Sequence, residues 1–117
     1  MVNISSGAAI KPYSGWSVYC TTKAALDMLT KTIAVEQEGK NSNLKCMAIY
    51  PGVVDTAMQK QIRKTPKKDF NDVERFISLK KNKELFTPNE VADKIVTLIT
   101  EDKLPNGAIY DLRDAKF

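Results

Sequence analysis

An α/β fold built on a parallel sheet is predicted, and three features of the 117-residue sequence predict it. Val2-Asn3-Ile4-Ser5 and the apolar run 44–50 read as strands, the second without polar alternation, as in a strand covered on both faces. Between them, residues 16–38 lack breakers and carry apolar residues at helical spacing. Beyond them, Thr87-Pro88-Asn89-Glu90 opens a further helix, and Pro105-Asn106-Gly107 turns into a short last strand. Strand, helix, strand, helices, strand is the alternation of a doubly wound sheet with covering helices.

The opening strand gives way to a loop punctuated by Gly7, Pro12, Ser14 and Gly15. In the long helix Ala24, Ala25, Met28, Leu29, Thr32 and Ile33 mark an apolar face, and Gly39 follows as its terminator. The run 44–50 stops at Pro51-Gly52. Residues 55–64 and 70–80 form two short helices parted by Thr65-Pro66. Thr87 is an N-cap, Pro88 takes the first helical position, and Glu90 stands where a capping box requires it. Val91, Ala92, Ile95, Leu98 and Ile99 give that helix its apolar stripe, away from Glu90, Asp93 and Lys94. Ala108-Ile109-Tyr110 completes the series. One domain accommodates this length, and no repeat or low-complexity tract divides it.

Apolar residues at 43% and charged residues at 27% are proportions of an ordinary globular protein. No apolar run approaches the roughly 20 residues that span a bilayer, and no charged-then-apolar leader opens the chain. A cytoplasmic protein with no membrane partner is expected. The sequence has no histidine, which removes Ser-His-Asp and Cys-His schemes and most zinc sites, so no metal is expected. Cys20 and Cys46 are too few for a disulfide framework and read as buried free thiols. The basic residues Lys60, Arg63, Lys64, Lys67 and Lys68 are followed at once by Asp69, Asp72 and Glu74, with no interleaved stacking aromatics. They read as a solvated surface, and no nucleic-acid partner is expected.

Doubly wound sheets bind ligands beyond the carboxyl ends of their strands. Ser5-Ser6 and Pro51-Gly52-Val53-Val54 occupy such ends. Tyr19 and Lys23, four positions apart in YCTTK, share a helix face. A free phenol has a pKa of about 10. A neighbouring ammonium favours its phenolate, and general acids work best when their pKa approaches the working pH. Tyr19 beside Lys23 is therefore a reasonable proton donor for a carbonyl oxygen, with the Ser6 hydroxyl available to hold that oxygen. Taken alone, a Tyr–Lys pair at this spacing also describes an ordinary surface pair.

The order NISSGA, YCTTKAALDML, a buried strand and PGVVDTAM resembles the short-chain dehydrogenase/reductase family. The resemblance implies a Rossmann-type sheet, NADPH as cofactor, and Ser6, Tyr19 and Lys23 as the catalytic set. It also implies that Pro51, Gly52, Val53, Val54 and Thr56 hold the cofactor together with Tyr19 and Lys23. The stretches KAALDML, PGVVDTAMQ and GAIYD look like those of the sepiapterin reductase and benzil reductase group, which reduces one carbonyl of a vicinal diketone. On that resemblance the substrate is a small-molecule diketone or related carbonyl compound, contacted by Ser6, Tyr13, Trp16, Met58 and Asp111. Asp111 stands where an aspartate anchors the pterin in sepiapterin reductases, or else at a solvated strand end. Trp16 and Met58 can equally serve helix packing. The alternatives are a 3-oxoacyl or steroid reductase of the same family, or a non-catalytic interaction fragment.

Members of this family also carry a glycine-rich turn whose helix receives the pyrophosphate. Here the five glycines stand at 7, 15, 39, 52 and 107, and none forms a G-x-G pair. The expectation is that residues 1–117 are the C-terminal catalytic part of a single Rossmann-type reductase domain. The N-terminal dinucleotide-binding half would be absent and this piece inactive alone. An open strand edge and an uncovered apolar helix face would promote association, so a homo-oligomer is expected.

Overall fold

The computed structural model describes residues 1–114. Three parallel strands, β1 (Val2–Ile4), β2 (Met47–Tyr50) and β3 (Ile109–Asp111), form one sheet in the order β1-β2-β3. Val2 pairs with Met47 and Ile4 with Ile49, while Ala48 pairs with Ile109 and Tyr50 with Asp111. Parallel neighbours require crossovers. Helix α1 (Ser17–Glu38) supplies the first, and α2 (Ala57–Lys64), α3 (Val73–Lys81) and α4 (Pro88–Thr100) supply the second. This is the predicted α/β arrangement.

All four residues of β2 are buried, as a strand between two layers requires. Alternation sends Met47 and Ile49 to one face, where they pack with Val91 and Leu98 of α4, Leu104 and Leu112. Tyr50, of opposite parity, reaches α1, and its phenol donates to the Asp27 carboxylate. Burial, reinforced by that carboxylate, pushes the Tyr50 phenol well above its ordinary pKa. A second apolar cluster gathers Ile62 of α2, Phe70, and Val73 and Phe76 of α3, with Tyr13 and Trp16 against it.

Several boundaries and one helix face differ from the expectation. The middle strand starts at Met47 rather than at residue 44. Leu44 is exposed and its N–H donates to Ser42 Oγ at 3.1 Å, while Lys45 reaches Asp102 at 2.8 Å. Helix α3 starts at Val73, because the N–H groups of Asp69 and Phe70 turn back to the Pro66 carbonyl. Gly39 does cap α1, yet with φ −83°, so no left-handed conformation is involved. Cys46 is buried, but Cys20 is only half-buried; both are free thiols.

The face of α1 is the larger correction. Ala24, Ala25, Met28, Leu29 and Thr32 point outward, and the buried positions are Asp27, Thr30 and Ala34. Hydrogen bonds explain this orientation. Asn3 donates to Thr30 Oγ1 at 2.9 Å, Tyr50 donates to Asp27, and Asn106 donates to the Ala34 carbonyl at 3.0 Å while accepting from the Cys46 N–H at 2.9 Å. Small and polar side chains thus lie against the sheet. Helix α4 is bounded as expected, with both halves of its capping box formed: Glu90 N to Thr87 Oγ1 at 3.2 Å and Thr87 N to Glu90 Oε2 at 2.7 Å.

Candidate active site

Ser6 follows β1 directly, and its hydroxyl accepts from the Ala8 N–H at 3.1 Å, capping a 3-10 turn at Gly7–Ala9. That turn starts the connection that brings the chain back into α1. Tyr19 and Lys23 then sit on successive turns of the helix. Lys23 Nζ donates to the Ile4 carbonyl at 2.9 Å and lies 5.6 Å from the centre of the Tyr19 ring. One ammonium therefore ties the helix to the end of β1 and places positive charge beside the phenol.

These residues border a cavity of about 680 Å³. Ser6 and Tyr19 line it, and so do Pro51, Gly52, Val53, Val54 and Thr56 from the loop after β2. The predicted substrate contacts Tyr13, Trp16 and Met58 line it too. Lys23 stands behind Tyr19, outside the lining. Asp111 is also outside it. Its carboxylate is gripped by Arg113, from Nε at 3.0 Å and Nη2 at 2.5 Å, which holds it below the usual carboxylate range. Arg113, not Asp111, borders the cavity.

The loop 51–56 is shaped as a backbone cradle. Gly52 has φ +78°, and a Cβ there would come within 3.0 Å of the Phe86 ring and 3.3 Å of Arg113 Cγ. Only glycine fits that position without strain. The loop is fixed from the far side by Phe86, whose N–H donates to the Val53 carbonyl at 3.0 Å and whose carbonyl accepts from Asp55 N–H at 2.9 Å. Thr56 is the N-cap of α2 but makes no side-chain capping bond, so its hydroxyl is not committed to the helix. A glycine cradle and a hydroxyl not committed to the helix, both along the cavity, fit the amide-bearing end of a nicotinamide.

Sequence reading passed over several residues that shape this site. Asp55 accepts from Lys80 at 2.5 Å and approaches Arg63 at 3.6 Å, joining the cradle to α3 and α2; the Lys80 hydrogen bond lowers its pKa. Trp16 stacks flat on Phe70, 4.6 Å between ring centres at 5°, and meets the edge of Tyr19 at 5.5 Å. Tyr13 lies 4.9 Å from Trp16. Phe70, Arg75 and Phe76 reach the site only through tertiary folding, and no local spacing announces them. Asp27 left a trace, since it lies four residues after Lys23 on one helix face.

The model of the family described as short chain dehydrogenase matches residues 1–67. The chain belongs to the short-chain dehydrogenase family. Among curated relatives, a benzil reductase ((S)-benzoin forming) of Bacillus cereus is 47% identical over 109 residues, 93% of this chain and 44% of that protein. A sepiapterin reductase of Meriones unguiculatus is 37% identical over 114 residues, 97% of this chain and 42% of that protein. The chain thus spans less than half the length of these relatives. The solved structure of the KRED1-Pglu enzyme superposes with a TM-score of 0.79 at 33% identity, over 92% of this chain and 45% of that one. L-sorbose reductase from Gluconobacter frateurii, complexed with NADPH and L-sorbose, superposes at 0.71 with 25% identity, over 94% and 44%. In this short-chain dehydrogenase the family match covers Ser6, Tyr19, Lys23 and the cradle alike.

Proposed function

We propose that the protein is an NADPH-dependent carbonyl reductase of vicinal diketones, of the benzil and sepiapterin type, with Tyr19 as proton donor. The observation that carries this reading is convergence: Ser6 and Tyr19 border the same cavity as the glycine cradle, with the Lys23 ammonium over the Tyr19 ring. When bound, the reduced nicotinamide supplies a hydride to the carbonyl carbon. The Ser6 hydroxyl orients the carbonyl oxygen. Tyr19 gives that oxygen its proton, and Lys23 sets a positive charge beside the phenolate left behind. Gly52, Val53, Val54 and Thr56 hold the carboxamide end of the cofactor. The NADPH-bound relative supports the cofactor choice, and the benzil reductases support the diketone.

Residues 1–117 are, on this proposal, the catalytic part of a single Rossmann-type domain. Among their five glycines no G-x-G pair is available to receive a pyrophosphate, so these residues alone do not turn over. The outward residues Val18, Met28, Leu29 and Val35 of α1 support the expected association into a homo-oligomer. Two free thiols suit a reducing compartment such as the cytoplasm. Among the described residues no helix is long and apolar enough to cross a membrane.

The test is Tyr19→Phe in the full-length protein. Turnover of benzil should fall by about 10²–10⁴-fold, the usual worth of a general acid, while NADPH binding measured by calorimetry persists. Turnover kept within a few-fold would remove Tyr19 from the mechanism.

A further inference from the structure

The rim of the cavity carries a charge pattern that reduction of a neutral diketone does not require. Among the described residues its charged lining consists of Lys11, Arg75 and Arg113, all cations, with no carboxylate. Arg113 is neutralised by Asp111. Lys11 and Arg75 form no ion pair among the described residues, although Asp69, Asp72 and Glu74 are close to Arg75 in sequence. Elsewhere the structure pairs its cations readily, with Lys45 on Asp102 and Lys80 on Asp55.

Both unpaired cations converge on one ring. Lys11 Nζ lies 5.0 Å from the centre of Tyr13, and the Arg75 guanidinium lies 5.9 Å from it and 5.2 Å from Phe76. Arg75 Nη1 also donates to the Tyr13 hydroxyl at 2.7 Å. That bond uses one of the five guanidinium N–H donors and fixes the fork, leaving others for a ligand. The Tyr13 ring leads through Trp16, at 4.9 Å, to Tyr19, at a further 5.5 Å. An aromatic wall therefore runs from the two cations to the phenol that meets the reacting carbonyl.

We propose that the substrate is a flat carbonyl compound bearing a carboxylate remote from the reacting carbonyl, held by Arg75 and Lys11 at the Tyr13 end of the cavity. This rests on the reductase reading of the same site and names its substrate class. Guanidinium and carboxylate match as a two-point pair, and a cleft lined by one sign of charge concentrates ligands of the other. Lys11 stands on the approach to α1 and Arg75 on α3, so neither belongs to the 51–56 loop that is suited to the nicotinamide. Their partner is accordingly the substrate and not a cofactor phosphate.

The full-length protein can test this with 4-carboxybenzil, its neutral methyl ester and NADP⁺, titrated calorimetrically at low salt. The acid should bind at least about tenfold tighter than the ester, and the gap should narrow as salt screens it. Lys11→Gln with Arg75→Gln should close the gap. Lys11→Arg with Arg75→Lys, which keeps both charges, should preserve most of it and guards against loss of fold. Equal affinity for acid and ester, or a gap that survives the glutamine pair, overturns the proposal. So does a glutamine pair that weakens NADP⁺ tenfold and leaves the gap, which would assign the cations to the cofactor. Binding needs no turnover, so the two readings fail separately. No acid preference in the unsubstituted protein, with its benzil turnover intact, sinks only this inference, and turnover retained by Tyr19→Phe sinks the assigned chemistry.

Discussion

The two apolar clusters of this protein are built from different residues. Beneath the sheet, Met47, Ile49, Val91, Leu98, Leu104 and Leu112 interdigitate, all of them aliphatic or methionine. Beside the cavity, Phe70 and Phe76 pack with Tyr13 and Trp16, anchored by Ile62 and Val73. Aliphatic side chains fill a parallel-sheet layer densely, and of these six only Val91 also lines the cavity. Aromatic rings bury comparable area but keep polarised faces and edges that cations and flat molecules can use. The first cluster holds β2 in place and with it the cradle at its end. The second borders the cavity through Tyr13, Trp16, Ile62 and Phe76. Packing of the sheet and lining of the cavity thus fall largely to separate groups of side chains, with Val91 common to both.

The sharpest way to break this division is to damage the sheet layer. Ile49 is fully buried at the centre of the middle strand. Ile49→Ala should cost about 2–5 kcal/mol in urea unfolding, through lost transfer energy and the cavity left behind. A cost under about 1 kcal/mol would mean that the sheet layer is not where stability resides.

The next effect concerns how α1 is held to the sheet. Tyr50→Phe removes the donor to Asp27 Oδ2, while the other carboxylate oxygen, Oδ1, is buried and without a hydrogen-bond partner among the described residues. Leaving Asp27 Oδ2 without its donor as well should cost about 1–3 kcal/mol. Combining Tyr50→Phe with Asp27→Leu should recover much of the loss, since removing both polar partners is far cheaper than removing one. A double variant as unstable as the sum of its singles would show that the pair does not couple helix and strand.

What could be read from the sequence follows the same line. Local placement was legible: the nearly continuous apolar run containing β2, the capping box at Thr87, and Tyr19 four residues before Lys23 on one helix. Each is set within one element, where spacing is geometry. The position of Ser6 beside the cavity was legible because it sits at a strand end. The orientation of α1 was not, because hydropathy counts Met28 and Leu29 as inward and cannot see that Thr30 bonds to Asn3 across the sheet. Asp111 was assigned to the substrate, yet Arg113 two residues later occupies its carboxylate. Arg75 and Phe76 reach the cavity from more than 50 positions beyond Trp16, a closeness that only the crossover after β2 creates.

The smallest effect probes the aromatic side. Phe70→Leu keeps an apolar side chain and removes the flat stack on Trp16. The loss should be about 0.5–1.5 kcal/mol, the worth of an aromatic pair beyond its buried area. Trp16 is the sole tryptophan of the chain, so its emission reports this contact directly. Emission should shift toward that of a solvated indole at denaturant concentrations where the sheet remains folded by circular dichroism. Affinity for a flat diketone should fall at the same time, because Trp16 then loses the partner that fixes its ring beside Tyr19. If the substitution instead lowers global stability by several kcal/mol and both signals change together, the clusters form one cooperative core. The aromatic side would then be as structural as the sheet, and selectivity would have to be sought in the cations of the rim alone.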